Sequence, residues 1–526
     1  MTNTFETRLA AWSGLDDDEL GRTLGGGRKG IEKECLRVSE SGELSMRAHP
    51  EALGSALTNE YITTDFSEAL LEFVTPAFEH TWEALRALCD IHQFTYRNLA
   101  DELLWPASMP CLIPDDDRIP LAYYGESNVG TMKTVYRRGL GYRYGRHMQT
   151  IAGVHFNYSL PDAFWPACAD MLGDGGALDD FRSARYMGLV RNFHRVGWLL
   201  LYLFGASPAL CRSFTGDREL DMPVLHGSTY YEPFGTSLRM SDLGYTNRSQ
   251  SQINICMNSV DEYIRDLSAA IRTPDPDYAR IGVQVDGEWR QLNTNRLQIE
   301  NEYYSSIRPK RVARSGERPT AALRRGGVEY VEVRSLDINV FDPCGINQNT
   351  MRFVEAFLIY CLLEDSPPFA DGSLDACRRN QALVAKQGRR PGLTLERGGA
   401  GITLAAWAGE VFDGVIGVAE LLDRAESGDS YRAAVRTLQE RVAEPDATPS
   451  ARILADLSSG GAGFFRFAMD AAISHRNYFL AVEDLPGDRM DALAAEAMAS
   501  LARQRDIEAA DTLLFEDYLA RYFGRD

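Results

Sequence analysis

Residues 30–38 read Gly-Ile-Glu-Lys-Glu-Cys-Leu-Arg-Val, followed by Ser-Glu-Ser-Gly. The period-two alternation is that of a β-strand and the four residues after it are a turn signal, so the segment predicts a strand entering a hairpin. Side chains two apart on a strand share a face, which sets Glu32 and Glu34 side by side. One such pair is most simply a solvated sheet face. The neighbouring stretches argue against that reading. Residues 69–75, closed by Pro76, predict a second strand that carries Glu72 inside the apolar run Leu-Leu-Glu-Phe-Val, where a lone carboxylate is costly to bury. Asp65 lies seven residues earlier.

Further strands are expected at 150–160, 296–304 and 328–335. The first of these pairs His155 with Asn157 on one face, and the last pairs Glu332 with Arg334. Helical patterns cover 79–103, 180–204 and 260–272, without the regular alternation of a parallel sheet. From about 350 the texture turns helical, at 350–364, 375–387, 404–426, 430–442, 451–458 and 486–523. The expected class is α+β: a sheet-based core over 1–345 and a mainly helical region over 346–526, forming one integrated unit because no linker composition separates them.

Five acids and a histidine on apolar-flanked strands repel one another unless cations neutralise them. Oxygen-rich ligand sets with one imidazole suit Mg²⁺ or Mn²⁺, and the number of acids implies more than one ion. Bound Mg²⁺ commonly coordinates phosphate as well, which points to a nucleoside triphosphate. Gly25, Gly27 and Gly30 match G-x-G-x-x-G, yet a strand pattern follows where a helix should open, so they read as a flexible turn. Walker A, H-E-x-x-H and G-x-S-x-G sequences are absent, which disfavours P-loop ATPases, zincins and α/β-hydrolases. Basic and aromatic residues fall between the acid strands: Tyr136, Arg137 and Arg138, then Arg239 and Tyr245, then Tyr304. Arginine suits bidentate recognition of carboxylate or phosphate. The segment Ile-Arg-Pro-Lys-Arg at 307–311 fits either phosphate contact or a solvated basic loop.

The chain has 526 residues, 44% of them apolar, and 55 basic against 75 acidic side chains give a net charge of −20. Such a surface repels nucleic acid and anionic lipid, while a few arginines in a cleft still admit a small anion. The nine cysteines are scattered with no C-x-x-C pair, which predicts reduced thiols, mostly small buried apolar groups. The run from Val196 to Cys211 is interrupted by Gly205, Ser207 and Pro208 and is shorter than the ~20 residues of a membrane span. It predicts a buried helix, and the lack of a signal-peptide pattern makes the expected location cytoplasmic.

These residues resemble a known family, the proteobacterial type of glutamate–cysteine ligase (gamma-glutamylcysteine synthetase), the first enzyme of glutathione synthesis. The resemblance is carried by residues 30–38, 49–58, 62–76, 105–110, 202–209, 241–247, 297–304 and 331–339, and weakly in the tail by 391–395 and 450–454. It implies a glutamine-synthetase-like fold, a curved antiparallel sheet forming a funnel with metals at its floor, and ATP as co-substrate beside L-glutamate and L-cysteine. It places Glu32, Glu34, Asp65, Glu72, His155 and Glu332 at metal positions. It also places Arg239 at a substrate carboxylate, and Arg137 and Arg334 at the transferred phosphoryl group. Phe66, Tyr136, Leu140, Gln149, Tyr245 and Tyr304 match a cysteine pocket, and Ile151 lies beside the glutamate site. A monomer is expected. The rivals are a glutamate–amine ligase with another acceptor, and a catalytically silent metal- or nucleotide-binding regulator.

Overall fold

The alternation at 30–38 belongs to an eleven-residue strand, β1 (Arg28–Val38), around which the sheet is built. The computed structural model describes residues 4–216, 219–244, 253–314, 316–482 and 487–524. The other strands are β2 (Ile62–Thr64), β3 (Leu70–Val74), β4 (Leu103–Leu104), β5 (Val154–Ser159), β6 (Ile307–Lys310) and β7 (Tyr330–Leu336). Their order is β6-β7-β5-β1-β3-β2, with β4 on the far end of β1, and every pairing is antiparallel.

Because the pleat sends alternate side chains to opposite faces, β1 carries acids forward and Lys29, Ile31, Lys33 and Cys35 backward. The back is closed by two helices, Thr81–Asn98 and Gln348–Leu363, the second buried on almost every side. Neither contains glycine or proline, and Asn347 caps the second by accepting from the Thr350 amide. Lys29 and Glu355 meet there at 2.9 Å with both side chains buried, and Glu355 also accepts from Tyr431 Oη at 2.8 Å.

Among the described residues eight α-helices follow β7, from Gln348–Leu363 to Phe515–Gly524, interrupted by a hairpin at Thr394–Arg397 and Ala400–Thr403. One of them, Phe464–Ala481, escapes the sequence reading. The expected helix 486–523 is two: Gly487–Ala510 begins against the Thr81–Asn98 helix, where Arg489 meets Asp90 at 3.1 Å, and Phe515–Gly524 packs on the Asn128–Tyr144 helix. The Ser55 amide donates to Ser500 Oγ at 2.9 Å. Leu519 packs with Met132 and Val135 of the Asn128–Tyr144 helix.

Four further expectations need correction. Residues 296–304 form a 3₁₀ turn (Glu300–Glu302), not a strand. The apparent alternation there arises because Glu300 and Glu302 are drawn inward by dedicated partners, Arg318 and Thr320 for the first, Arg143 and Tyr144 for the second. The helix expected over 180–204 breaks at Gly197 into Leu178–Val196 and Trp198–Phe204. Gly25 ends a helical turn and Gly30 lies within β1, so this stretch is not an open turn; Gly27 sits where a Cβ would come within 2.7 Å of Tyr158 Oη. Lastly, Cys111 and Cys211 are joined as a disulfide across 100 residues, which scattered spacing could not reveal. No helix among the described residues is long and apolar enough to cross a membrane.

The Lys29–Glu355 pair joins the first strand to the C-terminal helices, and removing one partner strands the other charge in the core. Lys29→Met should cost about 3–5 kcal/mol. Chemical denaturation should show that loss largely recovered in the double variant Lys29→Met, Glu355→Leu.

Candidate active site

Strand register decides which acids meet. Glu32 of β1 lies opposite His155 of β5, and Glu34 lies opposite Glu72 of β3. On the next strand, Glu332 of β7 is flanked by Asn157 of β5 and Arg308 of β6. Asp65 directly follows β2. Antiparallel pairing of five strands thus gathers on one face side chains that lie up to 300 residues apart in sequence, from Glu32 to Glu332.

His155 sits at the centre. Its Nδ1 is 3.2 Å from Glu32 and 3.7 Å from Glu332, and its Nε2 is 3.7 Å from Glu34. Asn157 Nδ2 donates to Glu32 at 2.8 Å, and the Gly153 amide donates to Glu34 at 2.7 Å. One ligand atom each from Glu32, Glu72 and His155 fall within 4.8 Å of one another.

The electrostatics separate the acids. Burial, then repulsion from Glu32, Asp65 and Glu34, pushes Glu72 well above the usual carboxylate range. Glu34 is raised as well, chiefly by burial. Burial acts in the same direction on Glu332, but Lys310, Arg334 and Arg308 outweigh it and hold that carboxyl well below its ordinary value. Lys310 is 3.0 Å and Arg334 2.8 Å from its oxygens. One end of the cluster is therefore neutralised by side chains, while the end around Glu72 has an excess of negative charge.

Three arginines ring this floor. Arg334 stands beside Glu332 and reaches His155 Nδ1 at 3.3 Å. Arg239, only 1% exposed, donates to the Arg334 carbonyl at 2.9 Å and lies 3.7 Å from Asp337. Its guanidinium crosses Gly153 so closely that a Cβ there would stand 2.0 Å from Nη2, which explains glycine at this position. Arg137 stacks 4.5 Å over the Tyr124 ring and approaches Asp65 at 3.7 Å. Tyr124 Oη in turn donates to the Asp65 carbonyl at 2.9 Å.

Of the pocket residues expected from the resemblance, Tyr304 is half-buried with its hydroxyl 3.4 Å from Met240 Sδ. Phe66 is buried directly after Asp65, and Ile151 is buried two residues before Gly153. Tyr136 and Leu140 lie on the Asn128–Tyr144 helix, and Gln149 is half-buried in the turn His147–Thr150. Tyr245 lies outside the described residues. Sequence reasoning missed Lys133, one helical turn before Arg137 and 5.0 Å over the same Tyr124 ring, whose amine is pushed down to about 8 by burial and Arg137. The i,i+4 spacing was the available signal. The segment at 307–311 begins as strand β6, with Arg308 buried, rather than as a solvated loop.

Divalent cations should therefore stabilise the protein through Glu72. With a folded pKa above its ordinary 4.5, Glu72 contributes stability that is complete below about pH 4.5 and is lost as pH rises through the folded value. Without divalent ions, Glu72→Gln should raise the neutral-pH melting temperature, and the difference should vanish in acid. Differential scanning calorimetry should also show a smaller gain from added Mg²⁺ or Mn²⁺ in the variant than in the unsubstituted protein.

The glutamate–cysteine ligase family model matches residues 13–384. Glutamate–cysteine ligase of Alcanivorax borkumensis is 51% identical, covering 99% of each chain, and that of Azotobacter vinelandii is 52% identical, covering 99% of this chain and 98% of its own. The solved structure of glutamate–cysteine ligase from Francisella tularensis in complex with AMP superposes with a TM-score of 0.90 at 37% identity, over 96% of this chain and 98% of that one. With likeness of this extent in sequence and in backbone, the chain belongs to the glutamate–cysteine ligase family.

Proposed function

We propose that the acid-lined face of the sheet is the site at which this ligase joins the γ-carboxylate of L-glutamate to the amine of L-cysteine. The reaction is ATP-dependent and gives γ-glutamylcysteine, ADP and phosphate, the first step of glutathione biosynthesis. The observation that carries this reading is the convergence of Glu32, Glu34, Glu72, His155 and Glu332 from four strands, with Asp65 at the end of a fifth, into one charged floor. The AMP held by the Francisella relative supports use of a nucleotide.

The donor set fits hard divalent ions: carboxylate oxygens and one imidazole, with an unneutralised excess around Glu72. In this reading the six residues hold more than one Mg²⁺ or Mn²⁺. Such ions, when bound, neutralise phosphate oxygens.

A carboxylate does not acylate an amine directly, because oxide would have to leave. Transfer of the terminal phosphoryl group of ATP to the glutamate carboxylate supplies a leaving group, and γ-glutamyl phosphate is then open to attack by the cysteine amine. Arg334 and Arg137 are assigned to the charge on the moving phosphoryl group, where donors already held in place act with little reorganisation. Arg334 is pre-set by Glu332 and Arg137 by Asp65. Arg239, fixed by Asp337 and the Arg334 carbonyl, is assigned to the substrate carboxylate. Phe66, Tyr136, Leu140, Gln149, Tyr245 and Tyr304 are assigned to the cysteine pocket, with Ile151 beside glutamate. A snug apolar pocket discriminates one small group by only ~1–3 kcal/mol, so slow use of similar amino acids is expected. We also take residues 1–345 and 346–526 as one unit, on the strength of the buried Lys29–Glu355 pair that joins them. Independently of that pair, we propose a cytoplasmic monomer.

Incubation with glutamate, cysteine, ATP and Mg²⁺ should yield γ-glutamylcysteine by mass spectrometry, and a chelator should stop it. Ammonia or another amine outpacing cysteine would instead favour a different acceptor. Arg334→Met should lower kcat by about 10²–10³-fold. Glu332→Gln should nearly abolish turnover with an unchanged circular dichroism spectrum; near-normal activity would remove that residue from the metal site.

A further inference from the structure

Behind the sheet, on the face opposite the acid cluster, two free thiols lie in contact. Cys89, on the Thr81–Asn98 helix, and Cys344, just beyond β7, bring their Sγ atoms to 2.8 Å although 255 residues separate them. A disulfide bond needs about 2.05 Å, so little movement divides the pair from a bond. The two sulfurs differ in access. Cys344 is 5% exposed, whereas Cys89 is only partly buried and lines a groove of about 350 Å³ together with Trp82, Arg86, Asp90 and Tyr478. On the inner side lies the buried amine of Lys33, whose Nζ is 2.7 Å from His92 Nε2.

The contact between the sulfurs is asymmetric in charge. The contact with Cys344, in which either thiol can donate, holds the Cys89 thiol below its usual value, opposed by burial and Asp90 and assisted by Lys33. The same contact, with burial, pushes Cys344 well up. Attack by a thiolate on a disulfide sulfur calls for an accessible, ionised sulfur with a second thiol within reach to complete the exchange.

We propose that Cys89 and Cys344 are a redox-active dithiol, with Cys89 attacking small aliphatic disulfides that enter the groove and Cys344 resolving the product. In the first step Cys89 Sγ, as thiolate, bonds to one sulfur of R–S–S–R, the S–S bond of that molecule breaks, and one R–S⁻ leaves. In the second, Cys344 loses its proton and its Sγ bonds to Cys89 Sγ, expelling the second R–S⁻. The released thiolates take up the two protons given up by the protein thiols. The protein pair is oxidised by two electrons, and the small disulfide is reduced to two thiols. This site stands apart from the front-face acids and does not depend on the ligase reading.

Cystine is the probe. The full-length enzyme, freshly reduced and freed of reductant, is exposed to cystine, blocked with iodoacetamide and mapped by mass spectrometry. The expected result is loss of both thiols together and a cross-linked peptide pair containing Cys89 and Cys344. Cys344→Ser should instead retain one cysteinyl group on Cys89, and Cys89→Ser should carry none at either position. Full alkylation of both cysteines after cystine treatment of the folded enzyme would overturn the proposal. So would equal accumulation of the mixed disulfide with and without Cys344.

Discussion

Mutual repulsion among carboxylates on one face of a β-sheet is the constraint around which the rest of the structure is arranged. Glu34 and Glu72 are directly opposed across β1 and β3, and burial compounds their repulsion. Desolvation without pairing makes such a cluster costly to fold. Part of the cost is met by protein groups: Asn157 for Glu32, the Gly153 amide for Glu34, and Lys310 and Arg334 for Glu332. The part left around Glu72 is met by no protein cation among the described residues as close as those beside Glu332, and is what a bound cation would neutralise.

Holding that floor in place requires a rigid back. The strand that presents Glu32 and Glu34 also buries Ile31 and Cys35 completely and sets Lys29 against Glu355, so its front and rear are locked by a single backbone. The C-terminal helices serve both sides. Gln348–Leu363 closes the rear, while Phe515–Gly524 supports the helix that carries Lys133, Tyr136 and Arg137.

Much of the front face was legible because the strands obey a period of two with polar residues at positions that apolar neighbours make conspicuous. Glu72 within Leu-Leu-Glu-Phe-Val and the pair Glu332 and Arg334 are examples. The same rule misled at 296–304, where Glu300 and Glu302 mimic alternation but are bound one by one to arginine, threonine and tyrosine partners. Local patterns cannot distinguish a ladder from a turn whose acids have private partners. Lys133, Arg308 and Lys310 were overlooked or left open because a basic residue declares its role only through what stands opposite it.

By itself, then, the sequence determined which residues face together within each strand, the α+β class, the helical tail and the family resemblance, all of which follow from short-range periodicity or from contiguous motifs. Only the tertiary structure decided how strands distant in the chain are registered. That register placed Glu34 against Glu72 and Glu32 against His155, and the packing around it joined Cys111 to Cys211 and brought Cys89 to Cys344. Register and cross-chain proximity depend on the packing of the whole core, and a shift of one residue would turn every acid to the other face.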